Sequence, residues 1–441
     1  MQATNLINEN SPNTGTTAAG GSHKTTSYVL PLILIVSLFF MWGMGASIND
    51  ILIQQFKKSF VLTDFQSGLV QSAFYLGYFL LAIPASLIMR RFNYKTGILI
   101  GLLLFATGAF LFYPAAEKAS YGFFLFALFV IASGLTFLET AGNPYVSALG
   151  DPSTATFRLN LAQSFNPIGC ITGILIGQNF ILSGIEYSKE QLANISPEAV
   201  KAYYSSEVHA VQTPYLIIGI VIIAAALVIL LTKFPVVKDE ETHGNSTPAQ
   251  TLKFIFGKRH FKLAVVAQFF YIGAQVCIWS FLIRYIQGTI PGTPEKTAAN
   301  FLTLSLVVFT AGRFIGTAIL KRIKGHNLLW IYAVINLALI SIAFIFPRTI
   351  GLWALVATSF FMSIMYPTIF SLGIRDLGEH TKLAASVLVM AIIGGALITP
   401  IMGLASVHFG IGKAIVVPFL CFLVVAYYGV KGYKEKAEVI D

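Results

Sequence analysis

Twelve apolar runs, each about as long as a bilayer is thick, constrain the fold of this chain more than any other feature. They cover residues 29–55, 65–89, 96–115, 121–149, 157–183, 212–234, 259–288, 297–320, 327–346, 350–375, 383–408 and 412–432. About 20 apolar residues in a helix cross the hydrocarbon core with every backbone group bonded inside the segment. Only 11% of the residues are charged, against about 25% in a soluble domain. The expected fold class is therefore an all-α membrane protein with twelve transmembrane helices, surrounded by a lipid bilayer.

Charge sets the orientation. The chain carries 29 Lys and Arg against 19 Asp and Glu, a net charge of +10. With both termini on one side, 19 basic residues fall there, among them Arg90, Arg91, Lys95, Arg158, Lys258, Arg259, Lys321, Arg322 and Lys434. Eight fall opposite, such as Lys57, Lys118 and Arg348, and Arg284 and Arg313 lie within runs. This asymmetry places both termini in the cytoplasm. The excess charge orients the protein and does not point to a nucleic-acid partner. Cys170, Cys277 and Cys421 all fall inside runs and read as small buried apolar residues, with no disulfide framework.

The two longest stretches between runs are 184–211 and 235–258. The first is an outside loop with a short helix expected around Ser196–Ser206. The second, beginning near TKFPVVKDEETHGNSTPAQ, divides the runs six and six. The expected organisation is a disordered tail at 1–27, a six-helix bundle at 28–234, a linker at 235–258, a second bundle at 259–433 and a tail at 434–441. The first apolar run is too long, and the tail before it too polar, for a cleavable signal. The halves also resemble each other. NPYVSALG at 143–150 matches YPTIFSLG at 366–373, each ending the fourth run of its half. PASLIMRRFNYKTG after the second run has a counterpart in GTAILKRIKGHN after the eighth. Two six-span bundles related in this way resemble the organisation of major facilitator transporters.

Only Asp50 and Glu139 lie well inside apolar runs. A carboxylate at the bilayer centre costs roughly 2.5–3.5 kcal/mol on insertion scales, and acids kept there mark proton or substrate pathways. The plainer alternative is a structural acid bonded to a neighbouring helix or paired with Arg284 or Arg313. The neighbours favour a pathway. Asp50 has Ser47 and Gln54 on its helical face, and Glu139 has Thr136 and Asn143 on its own. Asn49 sits beside Asp50. Span 2 carries Gln71, Tyr75 and Tyr78; span 5 carries Asn160, Gln163 and Asn166; span 7 carries Gln268, Tyr271, Gln275 and Trp279. Amides donate and accept, as sugar hydroxyls require, and aromatic faces suit a sugar ring. Singly, each amide is more simply an interhelical hydrogen bond; together they read as a wet polar cavity. Gly169, Gly173 and Gly177 form a face for close helix approach. Arg313, two turns from Lys321, reads as snorkelling to the inner surface. The chain holds no G-x-S-x-G, H-E-x-x-H or P-loop signature, so no enzyme, catalytic residue, metal or cofactor is expected. Transport energy would come from an ion gradient or from the substrate's own.

SLFFMWGMGASINDILIQQF, QSAFYLGYFLLAIPASL, FLETAGNPYV, FRLNLAQSFN, AQFFYIGAQVCIWSFLIRY and MSIMYPTIFSLGI resemble the fucose–galactose–glucose proton symporter family of the major facilitator superfamily. The similarity runs from about residue 27 to about 430. It implies a monomeric, multi-pass protein of the bacterial inner membrane that imports L-fucose or a related hexose with a co-transported proton. It implies that Asp50 and Glu139 are the proton-linked carboxylates. Gln163 and Asn166 match cavity amides of the family, Tyr366 a cavity aromatic, and Trp42 and Trp279 its tryptophans. Fucose-carrying members have two consecutive asparagines where this chain has Ala46 and Ser47. Glucose/galactose and N-acetylglucosamine therefore remain alternative substrates, and sodium an alternative coupling ion.

Overall fold

The computed structural model describes residues 29–62, 64–181, 191, 194–235, 237 and 246–434. Among these residues, twelve helical segments are long and apolar enough to cross a bilayer. They coincide with the twelve runs. Spans 1 to 4 are single helices, Val29–Ser59, Asp64–Arg91, Tyr94–Glu117 and Tyr121–Ala148. Spans 6 to 9 are Gln212–Leu231, Arg259–Thr289, Glu295–Ile319 and Gly325–Ile345.

Four spans are broken, and the sequence explains two of the breaks. Span 5 is Ala155–Gln163 followed by Phe165–Ile176, and span 10 is Thr349–Met362 followed by Met365–Gly373. Proline has no N–H and crowds the carbonyl four residues before it. Pro167 stands four residues after Gln163, and Pro367 four residues after Ser363. Each proline therefore strips one carbonyl of its helical partner. Span 11, Thr381–Met390 and Gly394–Phe409, is joined by a tight 3-10 turn at Ala391–Ile393, and span 12 is Ile411–Ala414 and Val416–Tyr427.

Spans 1 to 6 pack on one another, chiefly 3 on 4, 1 on 5, 2 on 4 and 3 on 6; spans 7 to 12 do the same, chiefly 7 on 11 and 12 and 9 on 10 and 12. Tight glycines allow the closest approach. A Cβ on Gly169 would lie 2.0 Å from the Phe40 carbonyl oxygen, one on Gly173 2.6 Å from that of Met44, and one on Gly43 2.1 Å from that of Asn166. The glycine face of span 5 is thus pressed against span 1.

The loop helix is Pro197–His209, capped by Ser196. Its buried Glu207 accepts a 2.9 Å bond from Gln55 of span 1. The linker ends in a helix, Pro248–Gly257, opened by a capping box between Thr247 and Gln250. Arg90 of span 2 donates to the Ser246 carbonyl and to Thr251, while Ser246 donates to Glu379 and His380 meets Thr251 from the second bundle. The bundles touch each other through spans 2 and 11, 4 and 11, 5 and 8, and 5 and 10. Across span 5, Thr156 meets Ser371 at 3.0 Å, Asn160 donates to Thr368 at 3.2 Å and Ser164 meets Thr317 at 3.5 Å. All three pairs lie in the half of the molecule that carries the linker. The chain is therefore drawn together on the linker side.

Replacing Gly169 by valine should cost about 1–3 kcal/mol by overpacking. Thermal unfolding in mild detergent should show a lowered midpoint. Gly122→Ala, where an added Cβ meets nothing within 4 Å, should leave the midpoint unchanged.

Candidate functional site

The site forms where span 4 meets the two broken helices. Glu139 is fully buried on span 4. One carboxylate oxygen, Oε1, accepts a hydrogen bond from the Tyr366 hydroxyl, which stands on span 10 in the opposite bundle. The other, Oε2, has no partner among the described residues. Beside it, Trp42, Leu38, Phe39, Leu138 and Gly142 help wall a cavity of about 10 Å³, roughly the room one water needs. The Trp42 indole donates to the Tyr78 hydroxyl at 2.6 Å. A buried carboxylate held by one hydroxyl, with a second oxygen open, is poised to exchange a proton or to accept a ligand hydroxyl.

One helical turn along the same face is Asn143, also fully buried. Its Oδ1 accepts from Gln163 Nε2 at 2.8 Å. Its Nδ2 has no partner among the described residues. Gln163 Oε1 in turn accepts from Arg313 Nη1 at 3.3 Å. The same Nη1 donates to the Gln163 carbonyl at 3.1 Å, and Arg313 Nε donates to the Ser363 carbonyl at 2.6 Å. These are the two carbonyls that Pro167 and Pro367 set free. One guanidinium thus answers both helix breaks, one in each bundle, and lies 4.7 Å over the Phe309 ring. A planar fork of five donors with no acceptor suits this task; an ammonium does not.

The expectation that Arg313 snorkels to the inner surface is corrected: its side chain is buried, with only 4% of the residue exposed, because two stripped carbonyls and a ring hold it inside. Nor does either arginine pair with Glu139. Arg284 is exposed, with its guanidinium 5.0 Å from the Phe281 ring. The side chains of Asn49 and Asp50 lie outside the described residues, so the structure places Glu139 alone of the two acids.

The remaining candidates divide between the site and the packing around it. Asn166 donates to the Phe39 carbonyl at 3.3 Å, tying span 5 to span 1. Trp279 is half-buried and donates to Ser359 at 3.1 Å, with its ring edge-on to Phe309. Gln275, one turn before it, is half-buried too. Deeper on that stripe, Tyr271 is fully buried and donates to the Met362 carbonyl at 2.9 Å, and Gln268 is enclosed. The span 7 stripe therefore opens at Gln275 and Trp279 and closes below them. Tyr366 is only 5% exposed, so its hydroxyl, more than its ring face, is what it offers. The residue that sequence reasoning misplaced is Arg313. Its signal was present in Pro167 and Pro367, each four residues beyond a carbonyl that would need a donor.

Arg313→Met should leave two buried carbonyls unpaired. Each such group costs about 1–3 kcal/mol, so thermal unfolding in detergent should show a clearly lowered midpoint. Arg313→Lys should recover only part of the loss, since one ammonium cannot span both breaks and the Gln163 amide.

The sequence profile of the Major Facilitator Superfamily matches residues 32–400. The L-fucose-proton symporter of Escherichia coli (strain K12) is 48% identical over 407 residues, 91% of this chain and 93% of that protein. A glucose/galactose transporter of Brucella abortus is 36% identical over 421 residues, 94% of this chain and 97% of that one. Among solved structures, the transporter FucP in the outward conformation superposes with a TM-score of 0.85 at 47% identity, covering 91% of this chain and 98% of that chain. A proton:xylose symporter, XylE, reaches 0.69 at 13% identity over 93% of this chain and 96% of its own, a likeness of fold alone. This twelve-span, two-bundle membrane protein belongs to the major facilitator superfamily.

Proposed function

We propose that the chain is a transporter that imports L-fucose, or a closely related hexose, together with a proton across the bacterial inner membrane, with both termini in the cytoplasm. The observation that carries this reading is the Glu139 carboxylate, held across the bundle seam by Tyr366 with one oxygen left open. The near-full-length similarity to proteins named L-fucose-proton symporter supports the substrate.

The cycle follows from that bond. An ionised carboxylate accepts a stronger hydrogen bond than a neutral one. With Glu139 ionised, Tyr366 and Glu139 hold the two bundles together near the linker side. Protonation from outside weakens that tie, and sugar hydroxyls take up the open acceptor and the neighbouring amides. Gln163, Asn143 and Asn166 supply hydrogen bonds, and Trp279, Gln275, Trp42 and Tyr366 complete the wall. The seam then parts on the linker side, sugar leaves, and the acid releases its proton to the cytoplasm. Asp50, with Asn49 beside it, is assigned the second coupling carboxylate by its place in span 1. A monomer suffices, and no cofactor is needed beyond the co-transported proton.

A second reading, glucose or galactose as substrate, is favoured by Ala46 and Ser47, which replace two amides one turn before Asp50, and by the similarity to glucose/galactose transporters. Proteoliposome uptake of radiolabelled L-fucose under an inward proton gradient separates the readings. Glucose, galactose and N-acetylglucosamine serve as competitors. Uptake should follow the proton gradient, and Glu139→Gln and Asp50→Asn should each cut concentrative uptake at least tenfold. The best competitor identifies the sugar. Uptake that follows sodium and ignores the proton gradient would refute proton coupling.

A further inference from the structure

Among the described residues Arg313 has no carboxylate partner, yet it sits at the head of an ordered line of amides. It can only donate, so the Gln163 amide must turn its oxygen toward Arg313. The distance of 3.3 Å from Nη1 to Oε1 agrees. Gln163 must then turn its NH₂ the other way, where it donates to Asn143 Oδ1 at 2.8 Å. With its oxygen taken, Asn143 has only its NH₂ left to present, and Nδ2 is unpartnered among the described residues. One turn back on the same face is the open Oε2 of Glu139, an acceptor when the group is ionised and still one when the proton sits on Oε1.

We propose that Arg313 acts as a positioning residue that fixes the polarity of this relay. Through Gln163 it forces Asn143 to offer a donor, next to the acceptor of Glu139. The pair is complementary to one hydroxyl that donates to Glu139 and a neighbouring hydroxyl that accepts from Asn143. Vicinal hydroxyls on a pyranose ring meet that demand. Were the Asn143 amide reversed, two acceptors would face the sugar, and both hydroxyls would have to donate. Arg313 thus takes part in selecting the substrate without touching it. Both amides are buried at 1% exposure or less, so water does not scramble the order. This inference rests on the sugar-transport reading and goes beyond it by assigning a direction to each bond.

The test reverses the relay while leaving the arginine satisfied. Gln163→Glu puts a carboxylate beside Arg313, which still has its acceptors, but this side chain can no longer donate to Asn143. Asn143 must then turn its NH₂ toward the new carboxylate and its oxygen toward the sugar. The probes are L-fucose, its mono-deoxy analogues and its mono-fluoro analogues at each ring hydroxyl, with Kd measured on the purified full chain. Fluorine accepts weakly and cannot donate. In the wild type, one position should favour fluorine over hydrogen by about three- to tenfold, the value of one modest hydrogen bond. In Gln163→Glu that preference should vanish at the same position and persist elsewhere. Asn143→Asp, which presents only acceptors, should lose it as well and serves if the first variant fails to fold, as judged by gel filtration and thermal unfolding. A fluorine preference that survives both folded variants overturns the relay while sugar binding stands. Wild-type protein that binds none of L-fucose, glucose, galactose and N-acetylglucosamine overturns the sugar reading, and the relay with it.

Discussion

A carbonyl stripped of its partner inside a bilayer has no water to turn to, and the centre of this molecule is arranged around two of them. Pro167 and Pro367 free the carbonyls of Gln163 and Ser363, and Arg313 answers both. The two breaks belong to different bundles, so the cure for a local backbone fault becomes a bridge across the seam. An irregular backbone at membrane depth is tolerated only where protein or a polar cavity surrounds it. The breaks therefore dictate that polar groups gather here, and Glu139, Tyr366, Asn143 and Gln163 are the groups that gather.

This arrangement makes the seam and the binding site one object. The bonds that close the linker side, from Thr156 and Ser371 through Asn160 and Thr368 to Gln163 and Arg313, form a ladder up span 5. Its top rung is the amide that meets Asn143. In the proposed cycle a ligand that competes for the upper groups alters the footing of the lower ones. None of these rungs is an ion pair; the neutral bonds contribute about 0.5–1.5 kcal/mol each, and a bond from the Arg313 guanidinium about 1.5–3 kcal/mol. A closure held by several weak bonds can be released by a single proton and a handful of hydroxyls.

Much of this was legible in the residues. Run length gave the spans, and the glycine spacing in span 5 gave a face for close helix approach, because both follow from local rules; that span 1 is the partner came from the packing. Glu139 stood out because an acid in an apolar run needs a reason. What sequence could not supply was partnership across the bundles. Tyr366 meeting Glu139 joins residues 227 apart, and only the packing of two bundles sets that distance. Arg313 was misread because proximity to Lys321 along the chain suggested a route to the surface. Pairing each proline with the carbonyl four residues before it would have shown two buried acceptors in need of a donor; only the packing shows that span 8 supplies it. The span 7 stripe illustrates the converse: its helical spacing was right, but burial divides it, with Tyr271 in the packing and Trp279 toward the opening.

The helix at the end of the linker has a mechanical side. It is grasped by Arg90 from the first bundle and by Glu379 and His380 from the second, through bonds at 2.5–3.4 Å that are partly open to solvent. Rocking the bundles apart must slide this helix off one of them. Water can take over such contacts at little net cost, so the strap shifts the balance of open and closed forms only slightly. Its grip must nevertheless be broken in every cycle. In the proposed cycle such a strap would act as a damper on the stroke, bearing on how fast the bundles part and not on which side they rest open.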